Sequence, residues 1–169
     1  DGDGVYVLLR TTNTSSTGAY LFSGLSDGAY RVAVDAADAD LPMGPFGDVY
    51  YPTTATSFDV VLSGGNAYLD ADFGFAPYGA IGDTVFWDAN RNGTQDYSEE
   101  GVAGVEVRLY ADANGNGVYD LGETLVTNAT TDAAGNYLFS GLLPDDYAVW
   151  VVTTNGPLAG VAQTADPNS

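Results

Sequence analysis

The sequence predicts an all-β fold of tandem antiparallel β-sandwich repeats, and three observations carry that prediction. Short stretches alternate apolar and polar residues with a period of two. Turn clusters such as SGG at 63–65, AAG at 133–135 and LPDD at 143–146 separate them at the spacing of a sandwich. No segment sustains a capped apolar period of 3.6 residues over three turns, so helices are not expected. Hydrophobic residues make up 45% of the 169 and aromatics 12%, enough for a packed core and too much for a disordered acidic tail.

The chain also repeats itself. TGAYLFSGLSDGAYRVAVD at 17–35 matches AGNYLFSGLLPDDYAVWVV at 134–152, placing Tyr20 on Tyr137, Phe22 on Phe139 and Leu25 on Leu142 at an offset of 117. Upstream, DGDGVY at 1–6 lies on NGNGVY at 114–119, an offset of 113, so a four-residue loop insertion separates the two matches. A self-match of this size points to a tandem array. It predicts one repeat over 1–76 and a second over 77–169, with the junction near APYGA at 76–80. The first repeat is expected to lack its opening strands and the second its closing strands. Two origins are compatible with this: a window on a longer array, or neighbouring chains that donate the missing strands.

The elements follow in order. AYRVAVD at 29–35 sets Tyr30, Val32 and Val34 on one face. The stretch 36–54 has three prolines and no clean period, so it reads as a long loop. SFDVVLS at 57–63 and AYLDADFGF at 67–75 read as the closing strands of the first repeat, and IGDTVFWD at 81–88 as the opening strand of the second. In VEVRLYAD at 105–112, Val105, Val107 and Leu109 share one face while Glu106, Arg108 and Tyr110 share the other. NYLFSGL at 136–142 turns Tyr137 and Phe139 to the same side.

Charge narrows the chemistry. There are 23 Asp plus Glu, 19 of them Asp, against four cations, Arg10, Arg31, Arg91 and Arg108, for a formal net charge of −19. Histidine, cysteine and lysine are absent. This leaves no Ser-His-Asp triad, thiol nucleophile, zinc finger, Schiff-base lysine or phosphate-loop lysine, and no enzyme is expected. So negative a chain repels nucleic acid and anionic membrane surfaces and attracts cations. No apolar run approaches the roughly 18 residues of a membrane span.

Two segments explain part of the acid. In DANRNGTQDYSE at 88–99, Asp88, Asn90, Asn92, Asp96 and Glu99 occupy positions 1, 3, 5, 9 and 12, with Gly93 at 6 and the Thr94 carbonyl at 7. In DANGNGVYDLGE at 112–123, Asp112, Asn114, Asn116, Asp120 and Glu123 fill the same positions, with Gly117 at 6 and Val118 at 7. This is the spacing of the twelve-residue calcium loop. Calcium is a hard cation that takes six to eight oxygens, which short Asp and Asn side chains at alternate positions supply from a tight turn. The longer Glu at 12 reaches back to close the shell. An Asx-rich turn that caps its own backbone is the alternative, but such a turn requires neither Asp at 9 nor Glu at 12. Two calcium ions are therefore expected, in loops set in a β-framework, and they would bring the formal charge from −19 to −15.

Elsewhere the pattern breaks or reads structurally. In the first repeat Asp1 and Asp3 fall at positions 3 and 5, but Val7 stands at 9 and Arg10 near 12, so no complete site is expected there. Asp132, Asp145 and Asp146 read as turn residues, and Asp70 and Asp72 as a solvent-facing pair. A glycosidase-type use of that pair is disfavoured. Asn13, Asn92 and Asn128 fit the N-x-S/T sequon, and Asn92 is already assigned to a loop.

IGDTVFWDANRNGTQDYSEEGVAGVEVRLY followed by TDAAGNYLFSGLLPDDYAV resembles the calcium-binding B-type repeat of serine–aspartate repeat surface proteins, related to collagen-adhesin B-type domains. The resemblance covers 80–152 well, and 13–35 with the DFGF terminus of the first repeat more loosely. It implies an immunoglobulin-like, prealbumin-type sandwich, repeated on a prokaryotic cell surface or secreted filament as a calcium-rigidified stalk. It could also add Asp83 or Asp132 as a ligand. Many collagen-adhesin relatives carry a Lys–Asn isopeptide bond, which a chain without lysine excludes. The expected partners are neighbouring repeats of the same kind, in one chain or across chains in a filament. An adhesin that binds a glycan or matrix protein through the tyrosine-rich stretch at Tyr50 and Tyr51 is the alternative function. Halophilic adaptation would account for scattered acids but not for two complete loops.

Overall fold

A computed structural model describes residues 6–35 and 37–163. The chain divides into two compact units: unit 1 runs up to Pro42 and again over Tyr50–Ala76, and unit 2 takes Met43–Val49 and everything from Pro77. Among the described residues the regular structure is all β, with one 3₁₀ turn at Gly156–Leu158. Among the described residues no helix is long and apolar enough to cross a membrane. The expected all-β, immunoglobulin-like class is the one found.

Unit 1 contains strands β1 (Gly28–Ala33), β2 (Tyr51–Pro52), β3 (Ser57–Leu62) and β4 (Phe75–Ala76). β1 pairs antiparallel with β3, Tyr30 opposite Val60 and Val32 opposite Phe58, and β2 pairs with β4. On the outer face of β1 and β3 the Arg31 guanidinium forks onto both carboxylate oxygens of Asp59 at 2.7 Å and lies over the Tyr6 ring. The Arg31 bond holds the Asp59 carboxyl below the usual carboxylate range. One expectation fails here. Of AYLDADFGF only Phe75 enters a strand, although Phe73 still packs edge-on against Phe58. Tyr20–Leu25 carries the same YLFSGL that forms a strand in unit 2, yet it joins no ladder. Alternation makes a segment competent for a sheet, but only a partner strand makes it a strand. The described part of the stretch read as a long loop is irregular, apart from β2 near its end and a bridge between Met43 and Val49.

Unit 2 contains β5 (Gly79–Thr84), β6 (Glu106–Ala111), β7 (Thr124–Thr130), β8 (Asn136–Leu142) and β9 (Tyr147–Val151). β5 pairs antiparallel with β8, while β6 runs between β7 and β9. Alternation puts Val105, Val107 and Leu109 inward at 1%, 0% and 0% exposure, against Phe139 and Leu142 of the other sheet and Leu158 from the 3₁₀ turn. Burying a Val or Leu side chain of this kind contributes about 1.5–3 kcal/mol. The opposite face of β6 is not solvated as alternation alone suggests. Tyr110 is buried under Tyr119, whose ring stacks on Trp150 at 4.9 Å. Buried Thr131 ties the edge of this core, accepting from Val105 N and donating to Val102 O.

Candidate functional site

Both predicted loops lie on strand connections of unit 2. Residues 88–99 fall between β5 and β6, and residues 112–123 are the whole connection from β6 to β7. Twelve residues is long for a hairpin connection, and length of this kind usually serves a function. The register places the loops at opposite ends of the sandwich. Thr84, at the end of β5, faces Asn136 at the start of β8, whereas Ala111, at the end of β6, faces Tyr147 at the start of β9.

Each loop is anchored at its own pole. The 88–99 loop is closed at its base by Trp87 N donating to Glu100 O at 2.9 Å and by the Phe86–Gly101 bridge. The 112–123 loop is anchored by Asp112 N donating to Asp146 O at 3.0 Å. Tyr119, at its position 8, fastens it further through the stack on Trp150. The sequence pattern does not show that Trp87 closes a loop or that Asp146, read as a turn residue, anchors one. Tyr119 was legible as an aromatic inside an otherwise polar loop, but its partner was not.

Internally the loops are near copies. Position 6 is a left-handed glycine in both, Gly93 at φ 75° and Gly117 at φ 77°. Position 4 is left-handed too, as Gly115 at φ 70° and as Arg91 at φ 63°, the one described non-glycine residue with positive φ. A side chain held there costs on the order of 1 kcal/mol, and such strain tends to gather at functional sites. The carboxylate at position 1 accepts backbone N–H groups: Asp88 from Asn92 and Gly93, Asp112 from Asn114, Gly115, Asn116 and Gly117. These bonds, led by Gly117 N–H, hold the buried Asp112 carboxyl below its ordinary range. The Asn side chains at 3 and 5 both donate to one carboxylate oxygen at 9. Asn90 and Asn92 reach Asp96 at 2.6 and 3.0 Å, and Asn114 and Asn116 reach Asp120 at 2.8 Å each.

The two loops part at position 12. Glu99 is fully engaged: Oε1 accepts from Ala89 N at 2.9 Å and Oε2 from Asp96 N at 3.1 Å. Glu123 Oε2 accepts from Asp120 N at 3.0 Å, but its Oε1 is buried with no hydrogen-bond donor. An unmatched carboxylate oxygen out of water is costly and calls for positive charge.

The structure therefore brings positions 3, 5 and 9 of each loop into direct contact and ties 12 to 9 through the backbone. It does not gather three carboxylates into a ready-made cluster anywhere among the described residues. Amide and backbone N–H groups hold the carboxylates, so part of the geometry is the self-capping turn weighed above. The donor set still fits a hard divalent cation, being oxygen throughout, with Glu123 Oε1 lacking a partner. Each Asn amide also carries an oxygen on the same carbon as the nitrogen now facing Asp96 or Asp120.

The remaining candidates stand apart. Asp83 lies on β5, exposed, accepting from Thr84 N. Asp132 caps the β7–β8 turn, accepting from Ala134 N at 2.8 Å and Asn136 N at 2.9 Å; these bonds depress its carboxyl. Asp70, Asp72, Asn13 and Asn128 are exposed. Asp1 and Asp3 lie outside the described residues.

A family model described as the SdrD B-like domain matches residues 79–169. The chain is 36% identical over 151 residues to serine-aspartate repeat-containing protein F of Staphylococcus epidermidis, covering 88% of this chain and 9% of that protein. It is 33% identical over 167 residues to serine-aspartate repeat-containing protein C of Staphylococcus aureus, covering 86% of this chain and 16% of that protein. It thus spans less than a fifth of either relative. No solved structure matches it. Taken with the all-β fold, the match shows that this chain belongs to the SdrD B-like domain family.

Proposed function

We propose that this chain is a structural repeat module of an extracellular surface stalk or fibre, stiffened by calcium held in the two loops of unit 2. It serves outside a prokaryotic cell, in contact with neighbouring repeats of the same kind, and carries out no catalysis. The observation that carries the proposal is the pair of complete oxygen-donor loops at opposite poles of one sandwich. The first would hold its ion with Asp88, Asn90, Asn92, Asp96, Glu99 and the Thr94 carbonyl. The second would use Asp112, Asn114, Asn116, Asp120, Glu123 and the Val118 carbonyl. When bound, calcium supplies two positive charges to a loop that holds three carboxylates. The chain's own part is to present the oxygens and to anchor each loop, the first between the two sheets and the second on the β6, β7 and β9 sheet, so that ordering a loop orders a pole.

Binding confined to the folded state stabilises it by about 1.4 kcal/mol per site at tenfold excess over Kd, or about 2.8 kcal/mol for two. For a unit of roughly 90 residues this raises Tm by about 10–20 °C. Both tryptophans of the chain, Trp87 and Trp150, lie in unit 2 beside the loops, so tryptophan fluorescence follows this unit alone. Melting and limited proteolysis in millimolar calcium and in chelator test the proposal. Equal Tm and equal cleavage rates in the two buffers would sink it.

A further inference from the structure

Four asparagines of this chain stand directly before a glycine: Asn92, Asn114, Asn116 and Asn155. Glycine carries no Cβ to shield its backbone nitrogen, so that nitrogen can reach the amide carbon of the preceding side chain. The fold holds three of these pairs in one way and the fourth in another.

The three pairs in the 88–99 and 112–123 loops are restrained at both reacting groups. Gly93, Gly115 and Gly117 donate their N–H groups to aspartate carboxylates at 3.0, 2.8 and 2.6 Å. The asparagine side chains are clamped as well. Each Nδ2 donates to Asp96 or Asp120, and each Oδ1 accepts the N–H two residues on, all at 2.8–3.0 Å.

Asn155 lacks every one of these restraints. It is exposed, with an extended backbone at φ −146° and ψ 179°, and it stands at the N-cap of the Gly156–Leu158 turn. An asparagine at an N-cap ordinarily accepts from the second or third N–H of its helix. Here the second residue is Pro157, which has no N–H, and the Asn155 side chain makes no capping bond. Among the described residues Gly156 N–H has no acceptor. The turn also carries a core residue. Leu158 is 7% exposed, and Gly160 N donating to Thr153 O at 3.3 Å closes the loop that inserts it.

We propose that Asn155 is a self-modification site, at which the chain converts its own side-chain amide to a carboxylate with water as the co-reactant. Gly156 N gives its proton to hydroxide or a buffer base and attacks Asn155 Cγ. The new C–N bond forms as the Cγ–Nδ2 bond breaks, and Nδ2 leaves with a proton as ammonia. Water then opens the cyclic imide at either carbonyl, giving aspartate or isoaspartate. Both products add a negative charge. Isoaspartate also routes the main chain through Cβ, which lengthens the Thr153–Gly160 loop by a methylene and loosens Leu158 from the core. At the loop asparagines a charge-assisted bond must open before the nitrogen can attack, which slows the step about tenfold or more.

Ageing the intact chain at mildly alkaline pH, followed by peptide mapping in a mass spectrometer, reads all four pairs at once. Working in chelator makes the result independent of calcium. Asn155 is expected to convert about tenfold or more faster than Asn92, Asn114 and Asn116. In denaturant the four rates are expected to converge, because the hydrogen bonds that separate them are gone. The isoaspartate form, isolated by chromatography, is expected to melt about 4–8 °C below the parent by tryptophan fluorescence. Asn155→Gln, whose ring closure would need an extra member, is expected to keep the parent Tm and to show no conversion at 155. Three outcomes overturn the proposal: a loop asparagine as fast as Asn155 in the folded chain, the same ranking of rates in denaturant, or an isoaspartate form with the parent Tm.

Discussion

Replacing Gly101 by alanine tests how the base of the 88–99 loop is built. Gly101 is not in the left-handed region, so alanine meets no backbone objection there. The obstacle is space. A Cβ on Gly101 falls inside the carbonyl group of Ala134 and 2.8 Å from the Gly135 nitrogen. Both of those are backbone atoms, so no side chain can swing away. The strands must separate, and three bonds lie across the contact: Val102 N to Val85 O at 2.7 Å, Val85 N to Gly135 O at 2.9 Å, and Trp87 N to Glu100 O at 2.9 Å. At about 0.5–1.5 kcal/mol each, their loss costs roughly 1.5–4.5 kcal/mol. Gly79→Ala is the matched control. It too lies outside the left-handed region, and its Cβ meets only Leu142 O at an ordinary 3.6 Å. Denaturant unfolding followed by tryptophan fluorescence measures both variants. Gly79→Ala is expected within about 0.5 kcal/mol of the parent. A Gly101→Ala variant equally close to the parent would show that the backbone contact with Ala134 does not hold the loop base closed.

The position-12 glutamates give a second contrast, read in chelator. Glu99→Gln puts an NH₂ group among the backbone N–H donors of Ala89, Asn90 and Asp96 and is expected to cost about 1–3 kcal/mol in the same unfolding assay. Glu123→Gln, at the carboxylate with an unmatched buried oxygen, is expected to cost less than Glu99→Gln, and equal costs would contradict the difference between the loops. Asp132 supplies a pH dependence. Its carboxyl is depressed in the folded chain by the Asn136 and Ala134 N–H groups. Its contribution is therefore fully present above the unfolded value near pH 4 and is lost as pH falls through the depressed one. Acid unfolding of Asp132→Asn should be less steep than that of the parent below pH 4, and parallel curves would remove Asp132 from the account.

Much of this architecture is written locally. In VEVRLYAD the alternation alone told which three residues would be buried, because a strand has two faces and one must leave water. The loops were legible for the same kind of reason: side chains at 1, 3, 5, 9 and 12 and a glycine at 6 are constraints within twelve residues of one turn. Where a feature needs a distant partner, the local pattern was silent or misleading. Tyr20–Leu25 has the composition of β8 and is not a strand, since no described segment pairs with it as β5 pairs with β8. Tyr110 was assigned to the polar face of its strand and is buried, because Tyr119 and Trp150 arrive from elsewhere in the chain.

Fold class, the internal repeat and the two twelve-residue loop patterns are all readable from residue order. Each of those follows from residue type and short-range spacing, which persist whatever the rest of the chain does. The pairing of the strands settles that the two loops cap opposite poles of one sandwich, and that Glu99 is satisfied while Glu123 Oε1 is not. These depend on strand register and on which backbone groups meet across the sheet. Register is set by the packing of all the strands at once, not by the pattern within any one of them.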